Sequence, residues 1–190
     1  MLYAFDMGNV VIKDIDVLDK TISLLGVSAS EFLLDYAHHS HILMEGLLSD
    51  EDYYRHVEHA FGIKVPGRPL SDFFNPRLNQ PVVKAIEFLH SKGQRIVCAS
   101  NTFEPHWSVI KKRGLDAVFD KCYLSHEMGL TKPSAAFFHH IMKSEGVQPK
   151  EMMFIDDMKE NIDAAKKLGI RTLWYHAGYD DSVLMTNFSC

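Results

Sequence analysis

Five short apolar runs, each cut off by small or polar residues at its carboxyl end, constrain this chain more than any other feature. They are Leu2–Phe5, Arg95–Ala99, Lys121–Leu124, Met152–Ile155 and Arg171–Tyr175. Runs of this length, bounded by turn-forming residues, read as buried strands. Helical patterns fill the intervals: Pro81–His90, Pro105–Lys112, Ser134–Ser144 and Asn161–Leu168, closed by Gly93, Gly114, Gly146 and Gly169. Strands alternating with helices predict an α/β fold with a parallel sheet and helices on both faces. In such sheets ligands gather where the strands end.

Residues 14–80 break this rhythm. Val17, Leu18, Ile22, Leu24 and Leu25 recur at helical spacing, and Ser28–Ser30 suits the cap of a second helix starting at Glu31. Ser49-Asp50-Glu51-Asp52 opens a third, with acids where the helix dipole favours them. Gly62, Pro66, Gly67 and Pro69 punctuate the end of this small helical module.

The polar residues at the strand ends converge. Asp6 follows the first run, Ser100 and Asn101 the second, and Asp156 and Asp157 the fourth, while Lys132 lies in the loop after the third. Four separate segments thus bring an acid, a hydroxyl–amide pair, a cation and a pair of acids to one rim. Crowded carboxylates repel one another, and a divalent cation resolves the repulsion. An all-oxygen set suits magnesium. One carboxylate could then serve as a nucleophile toward phosphorus, with a hydroxyl, backbone N–H groups and the lysine stabilising the transferring group.

Other features bound the function. The net charge of −5 argues against wholesale nucleic-acid binding, which needs a basic face. No run is long and apolar enough for a membrane span, and no leader pattern is visible, so the expectation is a cytoplasmic protein, monomeric by default. Cys98, Cys122 and Cys190 form no metal-binding pair and read as reduced thiols, the first two buried. His38, His39 and His41 read as a solvated helix face rather than a metal site. The aromatic residues of the helical module, Tyr53, Tyr54, Phe73 and Phe74, read as packing.

Four segments in order resemble the motifs of the haloacid dehalogenase superfamily. They are Phe5-Asp6-Met7-Gly8-Asn9-Val10, Val97-Cys98-Ala99-Ser100-Asn101-Thr102, Leu130-Thr131-Lys132-Pro133, and Phe154-Ile155-Asp156-Asp157 with Asn161. Glu45-Gly46-Leu47-Leu48-Ser49 and Leu124–Gly129 further resemble small bacterial sugar-phosphate phosphatases of that superfamily. The resemblance implies a Rossmann-like catalytic core over 1–13 and 81–190, with a helical cap at 14–80 inserted after the first strand. It implies a magnesium-dependent phosphatase acting on a small phosphorylated substrate. Asp6 would be the nucleophile and a metal ligand, Gly8 a ligand through its carbonyl, and Asp157 the third protein ligand. Asp156 and Asn161 would hold metal-bound waters or the loop. Ser100 and Asn101 would bind phosphate, and Lys132 would pair with both phosphate and nucleophile.

Gly8 departs from the family pattern, in which most phosphatases carry there a second aspartate that serves as general acid and base. Help of that kind is worth about 10²–10⁴-fold. Its absence predicts a slower enzyme, a good leaving group or a substitute acid. Asp14 and Asp16 could serve only if the turn after the first strand folds back. The rival readings are a mutase, disfavoured by Gly8; a metal-free dehalogenase, disfavoured by the paired acids; and a catalytically weak ligand- or partner-binding protein.

Overall fold

A computed structural model describes residues 1–188 of the chain; Cys190 lies outside the described residues. The central strand β1 (Leu2–Phe5) is buried along its whole length. Strand β2 (Ile12–Lys13) follows, and the chain then leaves the sheet for α1 (Leu18–Leu25), α2 (Ala29–Met44), α3 (Asp50–Phe61) and α4 (Pro69–Asp72). It returns on β3 (Arg77–Leu78), which pairs antiparallel with β2. From there strands and helices alternate: α5 (Gln80–Ser91), β4 (Arg95–Ser100), α6 (Glu104–Lys112), β5 (Lys121–Leu124), α7 (Ser125–Met128) and α8 (Ala135–Glu145). Strand β6 (Met152–Asp156), α9 (Lys159–Lys167) and β7 (Arg171–Trp174) complete the sheet.

The sheet runs β5-β4-β1-β6-β7 and is parallel throughout. After β1 the chain builds outward through β4 and β5, then crosses back to place β6 on the other side. The carboxyl end of β1 is therefore the point where strand order reverses, and a crevice opens there. Alternation along β1 splits the core in two. Tyr3 and Phe5 face the cluster built with Val82, Ile86, Leu89, Trp107 and Ile110 of α5 and α6. Leu2 and Ala4 face Phe137, Phe138, Ile141, Ile162 and Ala165 of α8 and α9. Helices thus cover both faces, as the near-continuous apolar strands require.

The helical segment between β2 and β3 has its own buried residues, among them Phe32, Leu43, Tyr53, Val57 and Leu70. Tyr53 and Tyr54 are packing residues, as expected, and the Tyr54 hydroxyl accepts from the Leu70 N–H at 3.1 Å. Ser49 caps α3 by accepting from the Asp52 N–H, and α2 begins two residues ahead of the expected Glu31, with Ser28 at its cap position. This segment meets the sheet domain at Gly46, whose φ is +70°. A Cβ at Gly46 would lie 2.4 Å from the His126 carbonyl oxygen, so both the turn and the close approach call for glycine. Cys98 is buried and Cys122 half-buried beside it on β5, and both are free.

Candidate active site

Asp6 stands one residue beyond β1, fixed by its N–H on the Ile155 carbonyl at 2.8 Å. The Lys132 ammonium donates to Asp6 Oδ1 at 2.6 Å and to Asp156 Oδ2 at 2.8 Å. Residues 126 apart in sequence are thus joined through a lysine side chain only 1% exposed. The other side of Asp156 is also engaged: Oδ1 accepts the Met158 N–H at 2.7 Å, and Asn161 Nδ2 lies 3.1 Å from both oxygens. Asp156 is therefore a spacer that aims Lys132 and pins the start of α9.

Asp157, half-buried, points back toward Asp6. One carboxylate oxygen from each of Asp6, Asp156 and Asp157 falls within 4.8 Å of the others. Asn9 Nδ2 donates to Asp157 Oδ2 at 3.1 Å from a backbone φ of +56°. Asparagine is among the few residues that adopt this conformation readily. Asn9 is a site residue that the motif pattern alone does not assign; its place in the turn after Asp6 is the signal for it.

Ser100 ends β4 and is buried beside Asn101. The Asn101 side chain is spent on the neighbouring loop: Nδ2 donates to the Lys132 carbonyl, and Oδ1 accepts the Lys132 N–H, both at 2.9 Å. That reciprocal pair positions Lys132 and leaves only the Asn101 backbone for an anion. Neither Ser100 nor Asn101 caps α6, whose N-cap position is Phe103. A second clasp holds the same loop, since Ser125 Oγ accepts the Thr102 N–H and donates to the Thr102 carbonyl, each at 2.9 Å.

A cavity of about 470 Å³ opens above this rim. Gly8, Asn9, Ser100 and Asn101 form its floor, and Ile15, Tyr36, Met44, Phe74, Phe103 and His106 contribute to its apolar walls. Tyr36 and Met44 come from α2 and were not anticipated. His106 stacks on Phe74 with ring centroids 3.9 Å apart, and its Nε2 bonds the Leu70 carbonyl at 2.7 Å. Burial pushes the His106 pKa down to about 4, so the ring is neutral at pH 7. Of the two acids considered as substitutes at Gly8, Asp14 turns away into an ion pair with Arg77. Asp16 lines the cavity and accepts the Leu18 N–H at 3.1 Å. At Gly8 itself an added Cβ would meet Ile15 Cδ1 at 2.9 Å, so a side chain there would require the end of Ile15 to shift.

Burial raises the Asp6 pKa to about 7; Lys132 opposes this and Asp156 adds to it. Burial also raises that of Asp157, against the Asn9 hydrogen bond. Burial works against the Lys132 ammonium, but Asp6 and Asp156 outweigh it and hold its pKa above the ordinary lysine value. Burial that disfavours the charged form of both carboxylates favours a bound cation that supplies the missing positive charge. The donor set fits magnesium, and the buried Asn161 Oδ1 beside Asp156 has no protein partner among the described residues.

From pH 3.8 to about 7 the folded chain keeps a proton on Asp6 that the unfolded chain has lost, so its stability falls as pH rises. In chelator, the unfolding free energy of wild type relative to Asp6→Asn is expected to drop across this interval. Divalent-cation affinity should tighten over the same range, because cation and proton compete. A flat difference in chemical denaturation from pH 4 to 7 would contradict the assignment.

A family model described as haloacid dehalogenase-like hydrolase matches residues 1–169. D-ribitol-5-phosphate phosphatase of Bacteroides thetaiotaomicron is 28% identical over 191 aligned positions, 93% of this chain and 92% of that protein. A predicted HAD-like family hydrolase from Porphyromonas gingivalis superposes with a TM-score of 0.83 over 98% of this chain and 96% of its own, at 24% identity. A HAD family enzyme from Bacteroides thetaiotaomicron, solved with magnesium and inorganic phosphate, superposes with a TM-score of 0.78 at 25% identity, covering 94% and 96% of the two chains.

Proposed function

The chain belongs to the haloacid dehalogenase-like hydrolases, and from that premise we propose that it is a magnesium-dependent phosphatase of a small phosphorylated metabolite, working through an aspartyl-phosphate on Asp6. The observation that carries this reading is the buried Asp6–Lys132–Asp156 chain at the switch point of the sheet, with Asp157 beside it. The similarity to a polyol-phosphate phosphatase along nearly the whole chain supports it. Residues 14–80 are read as a cap that closes over the substrate.

Asp6 and Asp157, with the Gly8 carbonyl, would hold the ion, which neutralises phosphate charge and orients the group. Asp6 attacks phosphorus in line, forming an O–P bond as the bond to the leaving oxygen breaks. Ser100 Oγ and the Asn101 backbone N–H hold the phosphoryl oxygens. Lys132 stays protonated between its two carboxylates and balances charge on the transferring group. Water then attacks the aspartyl-phosphate, releasing inorganic phosphate and restoring the Asp6 carboxylate. With glycine at position 8, no acid from this position protonates the leaving oxygen, which takes its proton from solvent water, and the water that attacks the intermediate returns a proton to solvent.

Phosphate release from a panel of phosphometabolites, with and without magnesium, tests the reading. Magnesium-dependent release supports it; magnesium binding without release from any compound would favour the ligand-binding rival that Gly8 suggests. A series of substituted phenyl phosphates checks the missing acid. Rates are expected to climb steeply as leaving-group pKa falls, and a flat dependence would mean that another group, Asp16 first among them, donates the proton.

A further inference from the structure

Asp35 and His39 stand one helical turn apart on α2, so their side chains share a face. His56 on α3 faces them. His56 Nε2 lies 2.7 Å from Asp35 Oδ1, and His39 Nδ1 lies 3.6 Å from the same oxygen. The two imidazole centroids are 4.3 Å apart, and one ligand-capable atom of each of the three residues falls within 4.8 Å of the others. The expectation of a solvated histidine face holds for His38, which is exposed, but not for His39, which turns inward onto this cluster.

The surroundings resemble the outer shell of a metal centre. The Tyr53 hydroxyl donates to Asp35 Oδ2 at 3.1 Å and so fixes the carboxylate from behind. Burial, reinforced by Asp35, keeps that hydroxyl protonated. His39 Nδ1 also lies 2.8 Å from the Asp35 carbonyl oxygen, a contact that an ion bound at Nδ1 would replace. A tetrahedral ion with bonds of about 2.0–2.2 Å sets its ligand atoms about 3.3–3.6 Å apart, against 2.7 and 3.6 Å for the two imidazole–Oδ1 separations here. Two imidazoles and one carboxylate favour zinc-like ions over magnesium, which takes oxygen.

We propose that Asp35, His39 and His56 form a second metal site, for a zinc-class transition ion, that staples α2 to α3. The cluster is open to solvent on the His56 side, where the side chain is 39% exposed. Tyr36, adjacent to Asp35, lines the cavity and touches Tyr53 edge-on with centroids 6.0 Å apart. A bound ion therefore fixes the helix that carries part of the cavity wall. This site stands apart from the Asp6 centre and does not depend on the phosphatase reading.

The test uses the untagged full chain in excess magnesium, which occupies the all-oxygen centre, titrated with zinc by calorimetry and with cobalt by visible absorption. One saturable equivalent of zinc, a tetrahedral cobalt spectrum and a zinc-dependent rise in melting temperature are expected. His39→Gln and His56→Gln should each weaken zinc binding by about tenfold or more, while His38→Gln leaves it unchanged. Absence of saturable zinc binding to the wild-type chain, an octahedral all-oxygen cobalt spectrum, or unaltered affinity in either folded variant overturns the proposal. The wild-type spectrum decides the matter if a variant does not fold.

Discussion

Asp6→Asn is expected to reduce magnesium-dependent phosphate release to background, a loss of roughly 10⁴-fold or more, as when a covalent nucleophile is removed. An amide neither carries the negative charge that attacks phosphorus nor leaves as a carboxylate when water cleaves the intermediate. The substitution nearly preserves shape, so the Asp6 N–H bond to Ile155 and the sheet around it should persist. Lys132 keeps Asp156 as its partner. The variant should therefore remain folded, and far-UV circular dichroism with a cooperative melt checks this alongside the assay. Residual turnover within tenfold of wild type would show that Asp6 is not the nucleophile and would remove the main support for the mechanism.

Lys132→Met should damage both fold and turnover. The ammonium is buried between Asp6 and Asp156, and a methionine leaves two carboxylates facing each other without a cation. Breaking a buried pair by removing one partner costs about 3–5 kcal/mol. For a domain of this size that corresponds to a fall in melting temperature of about 6–20 °C. Turnover should fall by about 10²–10³-fold, the usual consequence of losing one stabilising donor at the transferring group. Lowering the pH in the metal-free variant should recover part of the stability, because a proton on either carboxylate relieves the repulsion. Melting curves of variant and wild type in chelator at pH 5 and 8 separate this account from loss of packing alone, which would give the variant no larger recovery than the wild type shows through Asp6.

The same site shows why a one-residue change at Gly8 matters without disturbing the rest. The carbonyl proposed as an ion ligand belongs to the backbone and needs no side chain. The acid–base step does need one, and glycine supplies none. The expected consequence is chemical selectivity for good leaving groups rather than loss of phosphate binding.

Much of this was written in the local pattern of the chain. Short apolar runs predict buried strands, their alternation with helices predicts a parallel sheet, and a parallel sheet puts every strand end on one rim. Asp6, Ser100, Asp156 and Asp157 could be placed together on that basis alone, because their positions follow from where the runs stop; Lys132, beyond α7, could be placed only in the loop that follows the third run. Tertiary structure decided what each side chain does there. Lys132 bridges Asp6 and Asp156, and Asn101 turns its amide to the Lys132 backbone rather than to the rim. Asn9 takes a left-handed conformation to reach Asp157. Tyr36 and Met44 wall the cavity, and His39 turns from solvent to meet His56. Those outcomes depend on hydrogen bonds and packing between segments tens to more than a hundred residues apart. Hydrophobic periodicity fixes which face of an element is buried, but not which polar partner the fold brings against it.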